Sequence, residues 1–356
     1  MAYSTINDPS AQFQTVLYTG NGGTQSITND GNSNLQPDWI WTKERSNTST
    51  NQNHTITDSS RGNTKQLFIN STSADATSSA FVTSFDSDGF SLGDNANINY
   101  NSATYVGWQW KANGGTTSSN SDGSITSYTQ ANNTAGFSIV YYSGNGSNNA
   151  TVGHGLSAAP QLIITKNRSA TYNWVTWSEE LSSTKIMVVD MDLAEFTPSG
   201  GYYSNVGSST YQLVQGSSNL TNVNANGNDY IAYCFRSIKG YSKFGKYTGN
   251  GSSDGTFVYT GFKPAWIMTK RIDAAGAWNI QDLKRSPFNV QDNFLQANDA
   301  DPEAAAGGTG IWDALSNGFK LRQNLSSTNA SGGTFLYLAF ADQSLVGTNN
   351  VIALAR

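Results

Sequence analysis

"YTGNG" occupies Tyr18–Gly22 and recurs unchanged at Tyr247–Gly251, with "YSGNG" between them at Tyr142–Gly146. Each copy closes an extended run, as in "SIVYYSGNG", and Asn and Gly tolerate the positive φ that a tight turn demands. Two more landmarks follow every turn. The first is "QPDWIWTKER" (Gln36–Arg45), "APQLIITKNR" (Ala159–Arg168) and "KPAWIMTKR" (Lys263–Arg271). The second is "ATYVGWQWK" (Ala103–Lys111), "NDYIAYCFR" (Asn228–Arg236) and "GTFLYLAFA" (Gly333–Ala341). From motif tyrosine to the first aromatic of the last landmark the chain runs 87, 88 and 88 residues: Tyr18 to Tyr105, Tyr142 to Tyr230, Tyr247 to Phe335. A spacing held three times marks an internal repeat, so the chain reads as three related units of about 100 residues.

The landmarks read as strands. Alternation places Trp39, Trp41 and Lys43 on one face and Ile40 and Thr42 on the other. The copies put Leu162, Ile164 and Lys166, and Trp266, Met268 and Lys270, on that first face. The closing landmarks are apolar on both faces, which predicts a central, doubly covered strand. "DSDGFSLG" (Asp86–Gly93) and "LSNGFKL" (Leu315–Leu321) are hairpin cues. Composition agrees: aromatic and β-branched runs sit between Asn, Gly and Ser clusters, and the chain has only five Glu. The expected fold is all-β, with three tandem antiparallel β-sandwich units of jelly-roll or lectin-like type and about eight strands each.

Boundaries follow from the repeat: an N-terminal arm over 1–14, unit 1 over 15–114, and a Gly/Ser/Thr/Asn linker over 115–135. Unit 2 spans 136–240, unit 3 spans 241–343, and an apolar C-terminal tail over 344–356 is expected to dock on a neighbour. No linker separates units 2 and 3, so they are expected to pack rigidly, with unit 1 hinged.

Net charge is −5 with no basic stripe, which argues against nucleic acid as a partner. No apolar run approaches bilayer-spanning length, so membrane insertion is not expected. No charged-then-apolar leader opens the chain, which predicts a protein that remains in the cytoplasm where it is made unless it leaves within a particle. The lone Cys234 cannot form an intramolecular disulfide and reads as a buried filler.

Candidate chemistry is sparse. Lys43, Lys166 and Lys270 recur on an apolar face, either as cations of a ligand cleft or as structural groups paired with acids. Asp58 and Asp282 lie downstream, each three residues before an arginine (Arg61, Arg285), and unit 2 has Ser178 or Glu179 there. Burial favours the paired reading. "DSDGFS" (Asp86–Ser91) lacks the full calcium ladder and reads as a hairpin turn. His54 and His154 fall at non-equivalent places with no zinc spacing, and no G-x-S-x-G elbow accompanies them. No catalytic, metal or cofactor residue is therefore assigned. By residue type, Trp108, Trp110, Trp174, Trp177, Trp278 and Trp312 could stack on sugar rings, although tryptophans of alternating strands more often fill a core. A glycan-degrading alternative needs a carboxylate pair, and no acid recurs at one position in all three units.

The segments "INDPSAQFQTVLYTGNGGTQSIT", "GHGLSAAPQLIITKNRSATYNWV" and "GYSKFGKYTGNGSSDGTFVYTGFKPAWIMTKR" resemble a family of marine bacteriophage proteins described as tail-fibre-like or virion structural, often a domain of unknown function. The resemblance runs from the N-terminal arm to "NNVIALAR" and implies no catalytic residues. It implies a non-enzymatic virion structural protein on the particle surface, a tail fibre, spike or capsid decoration. Its expected partners are other virion proteins, further copies of itself as an oligomer (a trimer first), and a host-surface glycan. The alternative is a glycan-degrading tail-fibre enzyme, a depolymerase.

Overall fold

The computed structural model describes residues 4–46, 51–198, 203–214, 222–306 and 310–344. Each repeat is a two-layer antiparallel sandwich. In unit 1 the large sheet runs in spatial order through the opening strand Phe13–Thr19, the closing strand Thr104–Trp110 and the lysine strand Trp39–Glu44. Thr55–Asp58, Lys65–Phe68 and Ala76–Thr77 complete it. The small sheet orders Gln25–Thr28, Gly89–Leu92 and Val82–Asp86. Unit 3 repeats the arrangement with six and three strands, and unit 2 with seven and three. The all-β sandwich expectation holds, and both hairpin cues form the turns expected of them.

The closing strand lies between the opening and lysine strands in every unit, at one register. Trp39 pairs with Trp110, Leu162 with Phe235, and Trp266 with Phe340. Its two faces are both buried because strand alternation sends successive side chains to different partners. One face, with Ile40, Ile163 and Ile267 from the lysine strands, packs on the unit's own small sheet. The other face belongs to no single unit. Trp39, Trp41, Trp108 and Trp110 join Ile164, Tyr233 and Phe235, and Trp266, Met268, Leu338 and Phe340, in one core shared by all three large sheets.

The innermost part of that core is aromatic. Trp110 and Phe340 lie 5.5 Å apart, Phe235 and Phe340 6.1 Å, and Trp39 bridges to Tyr233 at 4.6 Å. Burying a large apolar side chain contributes roughly 1.5–3 kcal/mol, so this centre is a principal source of stability in a chain without a disulfide. The expectation that tryptophans of alternating strands fill a core holds, but that core is largely a shared one. Most of the tryptophans fill the space between units.

Three boundary expectations are corrected. Unit 1 is not hinged, because its large sheet supplies the shared core on the same terms as the others. The segment read as a linker, 115–135, holds Ser118–Asn120 and Ser127–Asn132, two strands that extend the large sheet of unit 2. Its polarity misled because its polar groups are satisfied by residues of unit 1 distant in the chain: the Asp38 carboxylate accepts from the Gly114 and Gly115 amides, and the Gln130 amide donates to Ser59 and Ser60. Nor do residues 4–14 form an arm apart from the repeat. Asp8 caps a 3-10 turn at Pro9–Ala11, and Ile6 and Phe13 enter the shared core. The tail expected over 344–356 lies, beyond Ser344, outside the described residues.

Candidate functional site

The recurrent turn is a structural lock. Gly22, Gly146 and Gly251 have φ near 70° (70°, 68°, 67°), where only glycine is unstrained. Each turn is clamped by a buried asparagine: Asn99, Asn224 or Asn329 accepts from the amide of Asn21, Asn145 or Asn250 at 3.0 Å. The same side chains donate back to the turn, to Asn21, Asn145 and Asn250 Oδ1. The motif tyrosines stack on the closing strand, at 5.0, 5.0 and 5.1 Å between ring centroids. Their hydroxyls donate to the Ile98, Val223 and Thr328 carbonyls. The sequence reading missed the three asparagines, although each stands six residues before the first aromatic of its closing strand.

The lysines join units. Lys43 of unit 1 donates to the Ala300 carbonyl of unit 3 at 2.9 Å, and Lys166 of unit 2 to the Thr72 carbonyl of unit 1 at 2.7 Å. Lys270 of unit 3 donates to the Asp192 carbonyl of unit 2 at 3.2 Å. Unit 1 reaches unit 3, unit 2 reaches unit 1, and unit 3 reaches unit 2: a closed head-to-tail ring within one chain. All three are buried, and burial pulls each ammonium down from 10.5 to about 8, partly opposed by nearby acids. The expected pairing with Asp58 and Asp282 does not occur.

Those acids serve a second layer of the same junctions. Arg61 Nε donates to Asp58 and its NH1 to Asp75, which in turn receives Arg168 of unit 2. Arg285 repeats the pattern with Asp282 and Glu303, which receives Arg45 of unit 1. Burial alone would lower the Arg61 pKa, but Asp58, the Tyr233 hydroxyl and Asp75 outweigh it, and the guanidinium stays charged.

The third junction is written differently. Unit 2 has Ser178 and Leu181 where its neighbours have the Asp and Arg, and unit 3 has Ile272 where they have Arg168 and Arg45. Both Leu181 and Ile272 belong to the shared core. Glu195, equivalent to Asp75 and Glu303, still accepts no arginine and is held below its ordinary value despite burial, by Ser182 and Lys185. At these buried positions two junctions are therefore ionic and one apolar, on one backbone, and the third carries an outer pair, Lys246–Glu180.

His54 stands where units 2 and 3 have Trp174 and Trp278, whose indoles donate to the Phe68 and Val188 carbonyls of the next unit. Its Nδ1 accepts from Trp41 Nε1 at 2.9 Å, and burial holds its pKa well below the ordinary value. The Gln296 carbonyl of unit 3 faces its other nitrogen, near enough to oppose that shift but outside hydrogen-bond geometry. His154 is also buried, with Nε2 at 3.1 Å from the Gly207 carbonyl. Cys234 is a buried filler, its thiol pushed up by burial. In the Asp86–Ser91 turn, Asp86 accepts from Ser84 and Ser91, and no metal-holding cluster of three or more acid, His or Cys groups occurs among the described residues.

Of the six tryptophans named for sugar stacking, Trp108, Trp110, Trp174, Trp278 and Trp312 are fully buried and offer no stacking face, and the partly buried Trp177 packs against the inner core of unit 2. A polar cleft of about 410 Å³ opens between units 1 and 3, but its lysines are already engaged, Lys263 with Asp342 and Lys284 with Asp30. The exposed rings are elsewhere, at Tyr100, Tyr128, Phe257, Tyr259 and Phe288. They were not among the sequence candidates because exposure depends on which strand is an edge.

A family model described as "Domain of unknown function (DUF7483)" matches residues 8–344, which takes in all three units. No curated protein and no solved structure matches the chain.

Proposed function

The chain belongs to the DUF7483 family, and we propose that it is a non-enzymatic structural protein of the bacteriophage virion, displayed on the particle surface. The observation that carries this reading is where the recurrent chemistry goes. The lysines, the Asp–Arg pairs, the indole donors and the turn asparagines are committed to joining strands and units. A ring of three sandwiches, closed by its own contacts and independent of disulfides, suits a rigid spike, fibre or capsid decoration. The resemblance of its landmark segments to marine phage virion proteins points the same way. Partners in this reading are other virion proteins and further copies of the chain.

The test is to purify particles through a density gradient, identify their proteins by mass spectrometry, and locate this chain with a gold-labelled antibody. The expected outcome is stoichiometric recovery with particles and label on their surface. Recovery only in the soluble lysate would sink the proposal, and release of reducing sugar from host polysaccharide by the purified chain would favour a depolymerase.

A further inference from the structure

Strand Phe257–Tyr259 is an edge of the small sheet of unit 3, and only Val258 faces inward. Phe257 and Tyr259 project outward, 45% and 49% exposed, about 7 Å apart along the strand. The Phe257 ring lies over Gly318, where a Cβ would come within 3.1 Å of it. The Lys243 ammonium sits 5.3 Å from the Tyr259 ring centroid, and Lys320, the cross-strand neighbour of Phe257, pairs with the exposed Asp254.

The repeat supplies an internal control. In unit 1 the same two positions are Ser26 and Thr28, and Ser26 shares a hydrogen bond with Ser91 across the strands. In unit 2 they are Thr151 and Gly153, and there the chain covers itself: Thr151 exchanges hydrogen bonds with Ser124, and Asn120 fills the space over Gly153. One backbone thus accepts hydroxyls, a covering segment or two rings. The rings of unit 3 are not required by the fold, and they leave apolar area in water where small polar residues suffice.

We propose that this face binds a pyranose ring of a polysaccharide, which deepens the surface-display reading above and rests on it. Two half-exposed rings offer roughly 200 Å², about the footprint of one or two sugar residues and far below the ~800 Å² a side of a stable protein interface. The apolar C–H face of a pyranose stacks on Phe257 and Tyr259. The Lys243 ammonium, which also donates to the Tyr259 carbonyl at 2.7 Å, and the exposed Asp254 paired with Lys320 keep donor and acceptor sites at the rim for its hydroxyls.

The experiment titrates the full chain with neutral and uronic-acid oligosaccharides at millimolar concentration, read by saturation-transfer NMR and calorimetry. It compares wild type, Phe257→Ser/Tyr259→Thr, and Tyr128→Ser as a control at another exposed ring. The double substitution installs the residues unit 1 already carries, so an unchanged thermal midpoint is expected. Saturation of sugar-ring protons by wild type and Tyr128→Ser, with affinity at least about tenfold weaker in the double variant, supports the site. No binding to any saccharide, or binding unaffected by the double substitution, overturns it. So does loss of association with another virion protein while saccharide binding persists. Incorporation of the double variant into particles, scored in parallel, distinguishes failure of this site from failure of the structural role.

Discussion

The Tyr233 hydroxyl of unit 2 donates to Asp58 Oδ2 of unit 1 at 2.7 Å, and the Trp108 indole of unit 1 donates to Asp282 Oδ2 of unit 3 at 3.0 Å. The equivalent residue of unit 3 is Leu338, which has no donor, and unit 2 has Ser178 where the receiving acid stands in its neighbours. Acid, arginine and donor are present together at two junctions and absent together at the third. A buried ion pair is tolerated only when every charge and lone pair is matched, so the set changes as a block.

Asp58→Ser should therefore cost about 3–5 kcal/mol, because Arg61 and Tyr233 lose their buried partner. Asp58→Ser/Arg61→Leu/Tyr233→Leu, which installs the third junction's residues at these three positions and leaves Asp75 its pairing with Arg168, should recover a substantial part of that loss. Urea unfolding of the single and triple variants measures the difference. A triple variant less stable than the single would show that the ladder is not exchangeable as a block.

The pH dependence has a definite sign. Lys43, Lys166 and Lys270 are each lowered to about 8 by burial, against about 10.4 in an unfolded chain. Between these values the unfolded chain holds more protons, so stability rises with pH across the interval, by up to roughly 3 kcal/mol per lysine. It is lost again as pH falls through 8. Above about 10 the buried tyrosines Tyr18, Tyr142 and Tyr233, raised by burial, reverse the slope as their unfolded counterparts ionise. Guanidinium unfolding from neutral to alkaline pH should show this maximum, and Lys166→Met should reduce the rise by about a third. A flat profile between pH 8 and 10 would mean the ammoniums are solvated.

Trp41 and His54 trade volume with Ile164/Trp174 and Met268/Trp278 at the same two positions. His54→Trp alone should overpack the core and cost about 1–3 kcal/mol. Trp41→Ile/His54→Trp should be better tolerated, since unit 2 already holds that pair and unit 3 holds Met268 with Trp278. Thermal unfolding of both variants checks it, and equal losses would mean the sites are not coupled.

The turn clamp is tested at Asn99. Asn99→Ala leaves the Asn21 amide, the partly buried Gly23 carbonyl and the buried Gly93 carbonyl without their side-chain partner, a loss of about 1–3 kcal/mol. Hydrogen exchange should accelerate at Asn21 and Gly22 and leave the Gly146 and Gly251 turns unchanged. Unaltered exchange at Asn21 would show that the backbone holds the turn unaided.

Local periodicity was enough to read strand faces. The alternation of Trp39, Ile40 and Trp41 separated two cores correctly, because side-chain direction in a strand is a property of neighbouring residues. It could not say what the Trp39 face would meet. Trp108 and Trp278 were open to a reading as sugar platforms for the same reason, since burial depends on the neighbouring unit and not on residue type. The Asp8–Phe13 segment was read as an arm because it precedes the repeat, and 115–135 as a linker on its polarity, yet their polar groups find partners far along the chain.

By itself, the amino-acid sequence determined the threefold repeat, the antiparallel sandwich of each unit and the tight turn that begins it, since these rest on spacing, alternation and the φ freedom of glycine. Only the tertiary structure decided that the units close into a ring around one aromatic core, that Lys43 meets Ala300, and that Phe257 and Tyr259 are left in water. The Lys43–Ala300 contact alone joins residues 257 positions apart, and the energies of such contacts depend on desolvation and shape, which exist only once three sheets have been brought face to face.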